Sequence, residues 1–227
     1  MFPTSLYGKL IVSCQAAPGD PLDHVETLRR LAASVLRGGA GGLRANGVEC
    51  IAAFRGETAL PIIGILKRYA GGELMITPDF ASAEAVSAAG ADVVALDCSA
   101  NRAAGRLASD EPWPGLIARI RDELKKPVLA DIATFDEAVA AEEAGADAVA
   151  TTMYGFTAET AQFRSVSWDL VERLVKRMRV PVIVEGHITQ PDEVKRALEL
   201  GAYAVVVGSA ITRPESITAR FVKTIHN

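Results

Sequence analysis

One short pattern recurs three times along the chain and constrains the fold more than any other feature. In each copy a helical run ends at a glycine, and an apolar run typical of a buried strand follows at once. The copies begin at Ala89, Ala144 and Leu200, so they are spaced by roughly 55 residues, about the length of two strand–helix units. The glycine stands where a helix C-terminus commonly takes a left-handed residue. This pattern predicts a regular alternation of helices and parallel strands.

Further apolar runs lie between these copies, and three of them open with Pro61, Pro127 or Pro181. Proline suits the first position of a strand, where no ladder donor is yet needed. These runs are apolar on both faces, as expected of parallel strands covered on both sides. Two earlier runs at 10–15 and 42–46 bring the predicted strands to eight. The predicted helices lie at 23–38, 48–58, 79–89, 113–125, 134–144, 168–178, 190–200 and 214–225.

Eight alternating units predict an α/β protein with a single (β/α)8 TIM barrel, and we expect one domain over 1–227. The chain is 49% hydrophobic and 23% charged, which suffices for one large core. It has no Pro/Ser-rich linker or charge block where two domains could divide. A doubly wound sheet would need a glycine-rich dinucleotide-binding turn after an early strand, and the sequence has none.

Charge and cysteine usage narrow the classes of partner. The net charge is -4 and the lysines and arginines are dispersed, which argues against a nucleic-acid or membrane partner. The N-terminal residues lack the order of a signal peptide, and no apolar run reaches the length of a membrane span, so we expect a cytoplasmic protein. The three cysteines and three histidines show no metal-binding spacing, so we predict no metal and reduced, buried thiols. His187 is expected to be a solvated loop residue.

Four charged residues stand at the ends of otherwise apolar strands. Strand residues separated by an even number of positions, which we call residues of equal parity, share a face of the strand. The prolines that open three of the strands are followed at such even spacings by Lys67, Asp131 and Glu185. Arg44 lies near the end of the second strand. If these side chains face inward they meet at the barrel mouth, where this fold carries its chemistry. Taken singly, each could be only the first solvated residue after a buried strand; together they favour a site for a polar ligand.

Small residues follow the last two strands and indicate an anion site. Gly186 comes directly after Glu185, and the Gly208-Ser209 pair follows the eighth strand. Backbone N–H groups can approach a phosphate closely at such positions, with a helix beginning near Pro214. A turn glycine alone would have the same appearance. Two such positions on neighbouring strands favour phosphate binding.

Several segments resemble the N-acetylmannosamine-6-phosphate 2-epimerase family, and the match runs through nearly the whole chain. The most specific of them ends in Thr-Arg-Pro at 212–214. Two segments differ from the family pattern, at 98–105 and at 151–157, where Tyr154 is left without a role. The matching segments are IVSCQ at 11–15, LRANG at 43–47, PIIGILK at 61–67, ADI at 130–132, EG at 185–186 and AVVVGSAITRP at 204–214.

The resemblance implies an isomerase that interconverts N-acetylmannosamine 6-phosphate and N-acetylglucosamine 6-phosphate during use of sialic acid or related amino sugars. It implies no cofactor and a homodimer that uses the last helix. The family's catalytic lysine and glutamate fall on Lys67 and Glu185. The other positions implied by the resemblance are Gln15, Arg44, Asp131 and Arg213 for the sugar, and Gly186, Gly208 and Ser209 for the phosphate.

Inversion at C2 requires removal of the proton alpha to the open-chain carbonyl and its return to the other face. Lys67 and Glu185 belong to the third and seventh strands, which stand across a barrel from each other, so a two-base scheme is possible. A basic lysine would need its pKa lowered well below the usual value of about 10.4, and a nearby carboxylate opposes this. Which group is the base therefore stays open.

Two other functions are compatible with the sequence. One is a different phosphate-binding barrel isomerase, acting on ribose-derived or triose phosphates. It would account for Gly208 and Ser209 but not for the conjunction of Arg44, Lys67, Glu185 and Arg213. The second is a sugar-phosphate sensor that binds without turnover. Alanine at Lys67 and Glu185 separates an enzyme from a sensor, because only an enzyme loses turnover while phosphate binding persists.

Overall fold

Eight parallel strands close into a barrel in the computed structural model, which describes residues 1–70, 73–100 and 112–225. Strands β4 and β5 form a separate antiparallel pair. The closed order is β1-β2-β3-β6-β7-β8-β9-β10, with β10 returning to β1. The predicted (β/α)8 barrel is confirmed. The strands are β1 (Leu10–Cys14), β2 (Gly42–Asn46), β3 (Ile62–Ile65), β4 (Lys67–Ala70), β5 (Glu73–Ile76), β6 (Val93–Asp97), β7 (Val128–Asp131), β8 (Ala148–Ala150), β9 (Val182–Glu185) and β10 (Ala204–Val207).

Helices follow the barrel strands and cover the outside of the barrel. The glycine expected after three of them has positive φ, +108° at Gly90, +97° at Gly145 and +100° at Gly201, as a left-handed stop requires. Short 3-10 turns lie at Thr4–Leu6 and Thr151–Met153. The helices are α1 (Val25–Arg37), α2 (Val48–Arg55), α3 (Phe80–Ala88), α4 (Trp113–Glu123), α5 (Phe135–Glu143), α6 (Trp168–Arg177), α7 (Pro191–Glu199), α8 (Ser209–Thr212) and α9 (Pro214–Lys223).

The third barrel strand ends earlier than the sequence predicted, because the chain turns into the β4–β5 hairpin. The prediction ran this strand to Lys67, whereas β3 ends at Ile65 and Lys67 opens β4. The Leu66 N–H donates to Thr77 Oγ1 at 3.2 Å, and the Lys67 N–H donates to Asn46 Oδ1 at 2.8 Å. These side-chain hydrogen bonds take the place of the strand-to-strand backbone hydrogen bonds of the barrel and fix the backbone at Lys67.

Inward-facing side chains change from apolar to polar along β7 and β9. Leu129 and Ile183 are fully buried in the barrel interior, and the next residues of equal parity are Asp131 and Glu185. Leu6, from the N-terminal 3-10 turn, is also fully buried in this interior cluster. The strand parity inferred from the sequence is therefore the parity of the fold, and it places the polar residues at the carboxyl end.

All three cysteines are free and buried, as predicted. Burial raises the pKa of the Cys14 thiol to about 12, so this group stays protonated near neutral pH. Among the helices of the described segments, none is long and apolar enough to cross a membrane.

Candidate active site

A cavity of about 1000 Å³ opens at the carboxyl ends of the barrel strands. Asp131 lies beside it, fully buried and bonded to a residue of the wall. The structure therefore brings all nine sequence-predicted site residues to one end of the barrel. Those that line the cavity are Gln15, Arg44, Lys67, Glu185, Gly186, Gly208, Ser209 and Arg213.

Arg44 binds the two carboxylates of the site at once. Its Nη2 donates to Asp131 Oδ2 at 2.5 Å and its Nη1 to Asp131 Oδ1 at 3.0 Å. Nη1 also donates to Oε2 of Glu185. Arg44 is 1% exposed, and a guanidinium keeps its charge even when buried. The ionic cluster therefore consists of one cation shared by two acids.

Glu185 has one carboxylate oxygen engaged and the other available. Oε2 accepts from Arg44, and it lies 3.1 Å from the Thr152 hydroxyl, which shares its single proton between Oε2 and the nearer Asp131 Oδ1 at 2.6 Å. Oε1 accepts no hydrogen bond from any residue that the structure describes. Burial raises the pKa of Glu185; the positive charge of Arg44 opposes this rise and the negative charge of Asp131 adds to it. A carboxylate with a free oxygen and a raised pKa is suited to accept a proton from a ligand.

Lys67 is half-buried, and its surroundings make it a weaker base than a surface lysine. Burial lowers the pKa of Lys67 to about 8, with the charges of Arg44 and Arg213 acting in the same direction. Glu185 and Asp131 act against this shift. The objection raised from the sequence, that a nearby carboxylate would keep the lysine strongly protonated, is thus outweighed. Near neutral pH this group can both donate and accept a proton.

Lys67 and Glu185 approach the cavity from opposite sides. In the closed strand order, β3 and β9 are four strands apart in either direction around the barrel. Lys67 follows β3 and Glu185 ends β9. Within the described parts of the chain, no hydrogen bond or ion pair holds Nζ of Lys67. Two groups able to exchange protons therefore face each other across one cavity.

The ends of β9 and β10 carry small residues and open amides. Gly186 has a φ of +96°, a conformation that favours glycine. Helix α8 begins at Ser209, immediately after Gly208, whereas the sequence predicted the next helix only near Pro214. The amides of Ser209 and Ala210 donate to no other group in the described segments. The Thr212 hydroxyl donates to the main-chain oxygen of Ser13 at 3.0 Å, and the main-chain oxygen of Gly208 lies at the same distance from it. These contacts fix the short helix against β1.

Gln15 stands at the end of β1 with an unused acceptor. Its Nε2 donates to Ser13 Oγ at 2.9 Å. Its Oε1 is buried and has no partner among the described residues. A buried amide oxygen without a partner is costly unless a water or ligand supplies the donor, so this atom marks a position for a polar ligand group.

Two cavity-lining features were missed from the sequence. His187 was expected in solvent but is half-buried in the cavity wall, stacked on Phe156 with ring centroids 5.4 Å apart. Its Nε2 lies 3.0 Å from the carbonyl oxygen of Tyr154, the residue left without a role. Thr152 contacts both carboxylates and Arg44. Of the unassigned segment 98–105, residues 101–105 lie outside the described part of the chain.

The barrel and its opposed proton-exchanging groups define a TIM-barrel enzyme with its site at the carboxyl ends of the strands. The family model described as "Putative N-acetylmannosamine-6-phosphate epimerase" matches residues 28–227. The chain belongs to this family of carbohydrate epimerases.

Individual relatives cover nearly the whole chain. A Cutibacterium acnes protein with the corresponding 2-epimerase description is 45% identical over 96% of this chain and 93% of its own length. A relative from Caldanaerobacter subterraneus subsp. tengcongensis is 43% identical over 95% of this chain and 90% of its own length. The solved structure of the N-acetylmannosamine-6-phosphate 2-epimerase from Clostridium perfringens superimposes with a TM-score of 0.89. It is 39% identical, and the match covers 97% of this chain and 94% of that one. A thiamine phosphate pyrophosphorylase from Pyrococcus furiosus, at 19% identity and a TM-score of 0.62, shares the fold.

Proposed function

We propose that this protein interconverts N-acetylmannosamine 6-phosphate and N-acetylglucosamine 6-phosphate by inverting the configuration at C2. The observation that carries the proposal is the opposition of Lys67 and Glu185 across the cavity, each with an atom that no described residue engages. Membership of the epimerase family supplies the substrate class. The reaction would serve the use of sialic acid or related amino sugars.

The reaction begins with the open-chain sugar, whose C1 carbonyl acidifies the proton on C2. Oε1 of Glu185 takes this proton from one epimer and leaves a planar enolate. Protonated Lys67 then returns a proton to C2 from the opposite face, which produces the other epimer. In the reverse direction neutral Lys67 is the base and protonated Glu185 the acid. Each group is thus the base for one of the two epimers.

The phosphate would bind at the ends of β9 and β10. A phosphate group could accept hydrogen bonds from the free backbone amides beside Gly208 and Ser209. Gly186 has no side chain to obstruct its approach, and Arg213 supplies positive charge. Gln15 would accept a hydrogen bond from a sugar hydroxyl or amide through its unpaired oxygen. Asp131 is fully buried and would contribute through Arg44, which it holds beneath the sugar.

The last helix supports the proposal of a homodimer. None of the residues of α9 is buried, and its Phe221 and Val222 are 71% and 44% exposed. Apolar side chains on an otherwise uncovered helix are typical of an interface. We infer a cytoplasmic homodimer in which residues 1–227 form one domain. Sedimentation analysis tests the dimer: a single species at the monomer mass across micromolar concentrations would contradict it.

The activity is tested by following N-acetylmannosamine 6-phosphate by NMR. We expect the gluco epimer to accumulate until both epimers are present at equilibrium. Lys67→Met and Glu185→Gln should each stop this conversion while inorganic phosphate still binds. A wild-type protein that binds the sugar phosphate without converting it would be a sensor, and conversion only of ribose-derived or triose phosphates would indicate a different isomerase.

A further inference from the structure

Thr152 occupies the centre of the ionic cluster, although no part of the proposed reaction needs it to touch the substrate. It belongs to the 3-10 turn that follows β8. Its hydroxyl oxygen lies 2.6 Å from Asp131 Oδ1 and 3.1 Å from Glu185 Oε2. Nη1 of Arg44 donates to it at 3.2 Å. One hydroxyl therefore contacts both acids and the cation that they share.

The backbone around Thr152 holds this hydroxyl in place. The neighbouring Thr151 uses its own hydroxyl on the main chain of Glu185, receiving the N–H at 3.1 Å and donating to the C=O at 2.8 Å. The turn after β8 is thereby joined to the end of β9. Thr151 fixes the backbone of Glu185, whereas Thr152 contacts its carboxylate. The two adjacent threonines thus act on different parts of the same residue.

These contacts distinguish the two oxygens of Glu185. Oε2 is held by Arg44 and Thr152, and Oε1 has no hydrogen-bond partner in the described segments. A carboxylate anchored through one oxygen presents the other in a defined direction, which proton transfer from carbon requires. Without the Thr152 hydroxyl, Arg44 would be the only side-chain donor to Oε2 among the described residues.

We propose that Thr152 is a positioning residue for the epimerisation, acting through Glu185: its hydroxyl holds Oε2 against Arg44 and directs Oε1 towards C2. This inference rests on the proposed function. It assigns no proton transfer to Thr152 itself.

The charges around Glu185 explain why a neutral hydroxyl matters. Burial and the carboxylate of Asp131 raise the pKa of Glu185, whereas Arg44 and the Thr152 hydrogen bond lower it. Lys67 interacts with Glu185 from the opposite wall. Among the described residues, the other charged or titratable groups that line the cavity are Asp97 on β6, which accepts from the Ser99 N–H at 2.7 Å, together with Tyr69, His187, Arg213 and Arg220. Removing the hydroxyl deletes a contact that favours the ionised form, so the pKa of Glu185 should rise further.

The test compares Thr152→Val, which keeps the branched shape, with Thr152→Ser, which keeps the hydroxyl. In Thr152→Val we expect kcat to fall about tenfold or more, because a hydrogen bond to a charged group is lost. KM should change by less than about threefold, since the residue positions the base and not the ligand. The acidic limb of kcat/KM should move up by about one pH unit. Thr152→Ser should keep the wild-type limb.

Thr151→Val is the matched control, because it removes a neighbouring hydroxyl whose hydrogen-bond partners in the described segments are both on the Glu185 main chain. Its acidic limb should stay at the wild-type pH even if the protein is less stable. If the acidic limb of the kcat/KM profile lies at the same pH in Thr152→Val as in wild type, the proposal is overturned. A Thr152→Ser variant as impaired as Thr152→Val would also overturn it, because that result would reveal a purely steric role.

A titration without substrate separates this inference from the proposed function. The carboxyl carbon of Glu185 can be followed by NMR in the unliganded protein with labelled glutamate, and its signal is assigned by its loss in Glu185→Gln. We expect a higher pKa for Glu185 in Thr152→Val than in wild type; an unchanged pKa would overturn the role of Thr152. A wild-type protein that fails to epimerise would instead refute the proposed function.

Discussion

The two ends of the barrel are built from the same strands but serve different purposes. At the amino end the interior is apolar and closed, with Phe2 and Leu6 4% and 0% exposed. At the carboxyl end the strands open into a cavity walled by charged side chains. The change takes place within two residues, from Leu129 to Asp131 and from Ile183 to Glu185. A single strand can therefore contribute to stability at one end and to chemistry at the other.

The two ends should also differ energetically. Burying an apolar side chain such as Leu6 stabilises the fold by about 1.5–3 kcal/mol. A buried ionic cluster has a large desolvation cost that its own attractions offset only in part, so it is a weak source of stability. The barrel thus places its least stabilising groups where a ligand needs them. This separation predicts that variants at the two ends affect different measurements.

The largest effect is expected at the carboxyl end, from Glu185→Gln. Glutamine can still accept from Arg44 and Thr152 but cannot accept a proton, so kcat should fall by about 10³-fold or more. The free energy of unfolding should stay the same or rise, because one charge leaves a buried site. Steady-state kinetics and urea unfolding measure the two quantities. A protein that unfolds more readily and retains its turnover would invert the comparison.

The matching variant at the amino end is Leu6→Ala. Removing this fully buried side chain should lower the free energy of unfolding by about 2–5 kcal/mol. Turnover by the folded fraction should stay within about twofold of wild type, because the cavity lies at the other end.

Phe156→Ala is the control for that variant at the open end. Phe156 is 62% exposed and its ring stacks on His187, so its loss should lower the free energy of unfolding by about 0.5–1.5 kcal/mol, less than the loss from Leu6→Ala. Equal losses of stability from Leu6→Ala and Phe156→Ala would show that the two ends are not distinct.

A smaller effect concerns the pH dependence at the carboxyl end. The pKa of Lys67 is lowered to about 8, so in the direction where Lys67 is the acid, activity should decline as pH rises through about 8. Arg213 contributes to this lowering. Arg213→Ala should therefore raise the pKa of Lys67 and move the basic limb of the rate profile to higher pH.

Arg68→Ala is the charge-matched control for Arg213→Ala. Arg68 adjoins Lys67 in β4 but is exposed, and its charge is not among the causes of the lowered pKa of Lys67. The basic limb of the rate profile of Arg68→Ala should lie at the same pH as that of wild type. An identical shift in both variants would indicate a general charge effect instead of a local one.

Much of this arrangement could be predicted from the sequence, because strand parity is a local property. Asp131 and Glu185 each follow an apolar residue of the same parity, and that sufficed to place both at the mouth. Lys67 was placed correctly but in the wrong element, since β3 ends at Ile65. The Gly-Gly pair at 71–72, between two short β-type runs, was the available hairpin signal.

Other features could not be predicted from local patterns. Helix α8 has four residues, too few to show a helical period. Thr152 looks like any threonine after a strand, and its role depends on partners 21, 33 and 108 residues away. Such contacts are set by how the closed barrel brings separate strands together. The same is true of the lowered pKa of Lys67, which combines burial with charges from several elements.

In the mechanism that we propose, Lys67 and Glu185 invert C2 by moving protons across the cavity. Incubating N-acetylmannosamine 6-phosphate with the enzyme in deuterated water tests it most directly. We expect the gluco epimer to carry deuterium at C2, because the proton is returned by a group in exchange with solvent. Product that forms in the same incubation with only the original hydrogen at C2 would contradict it.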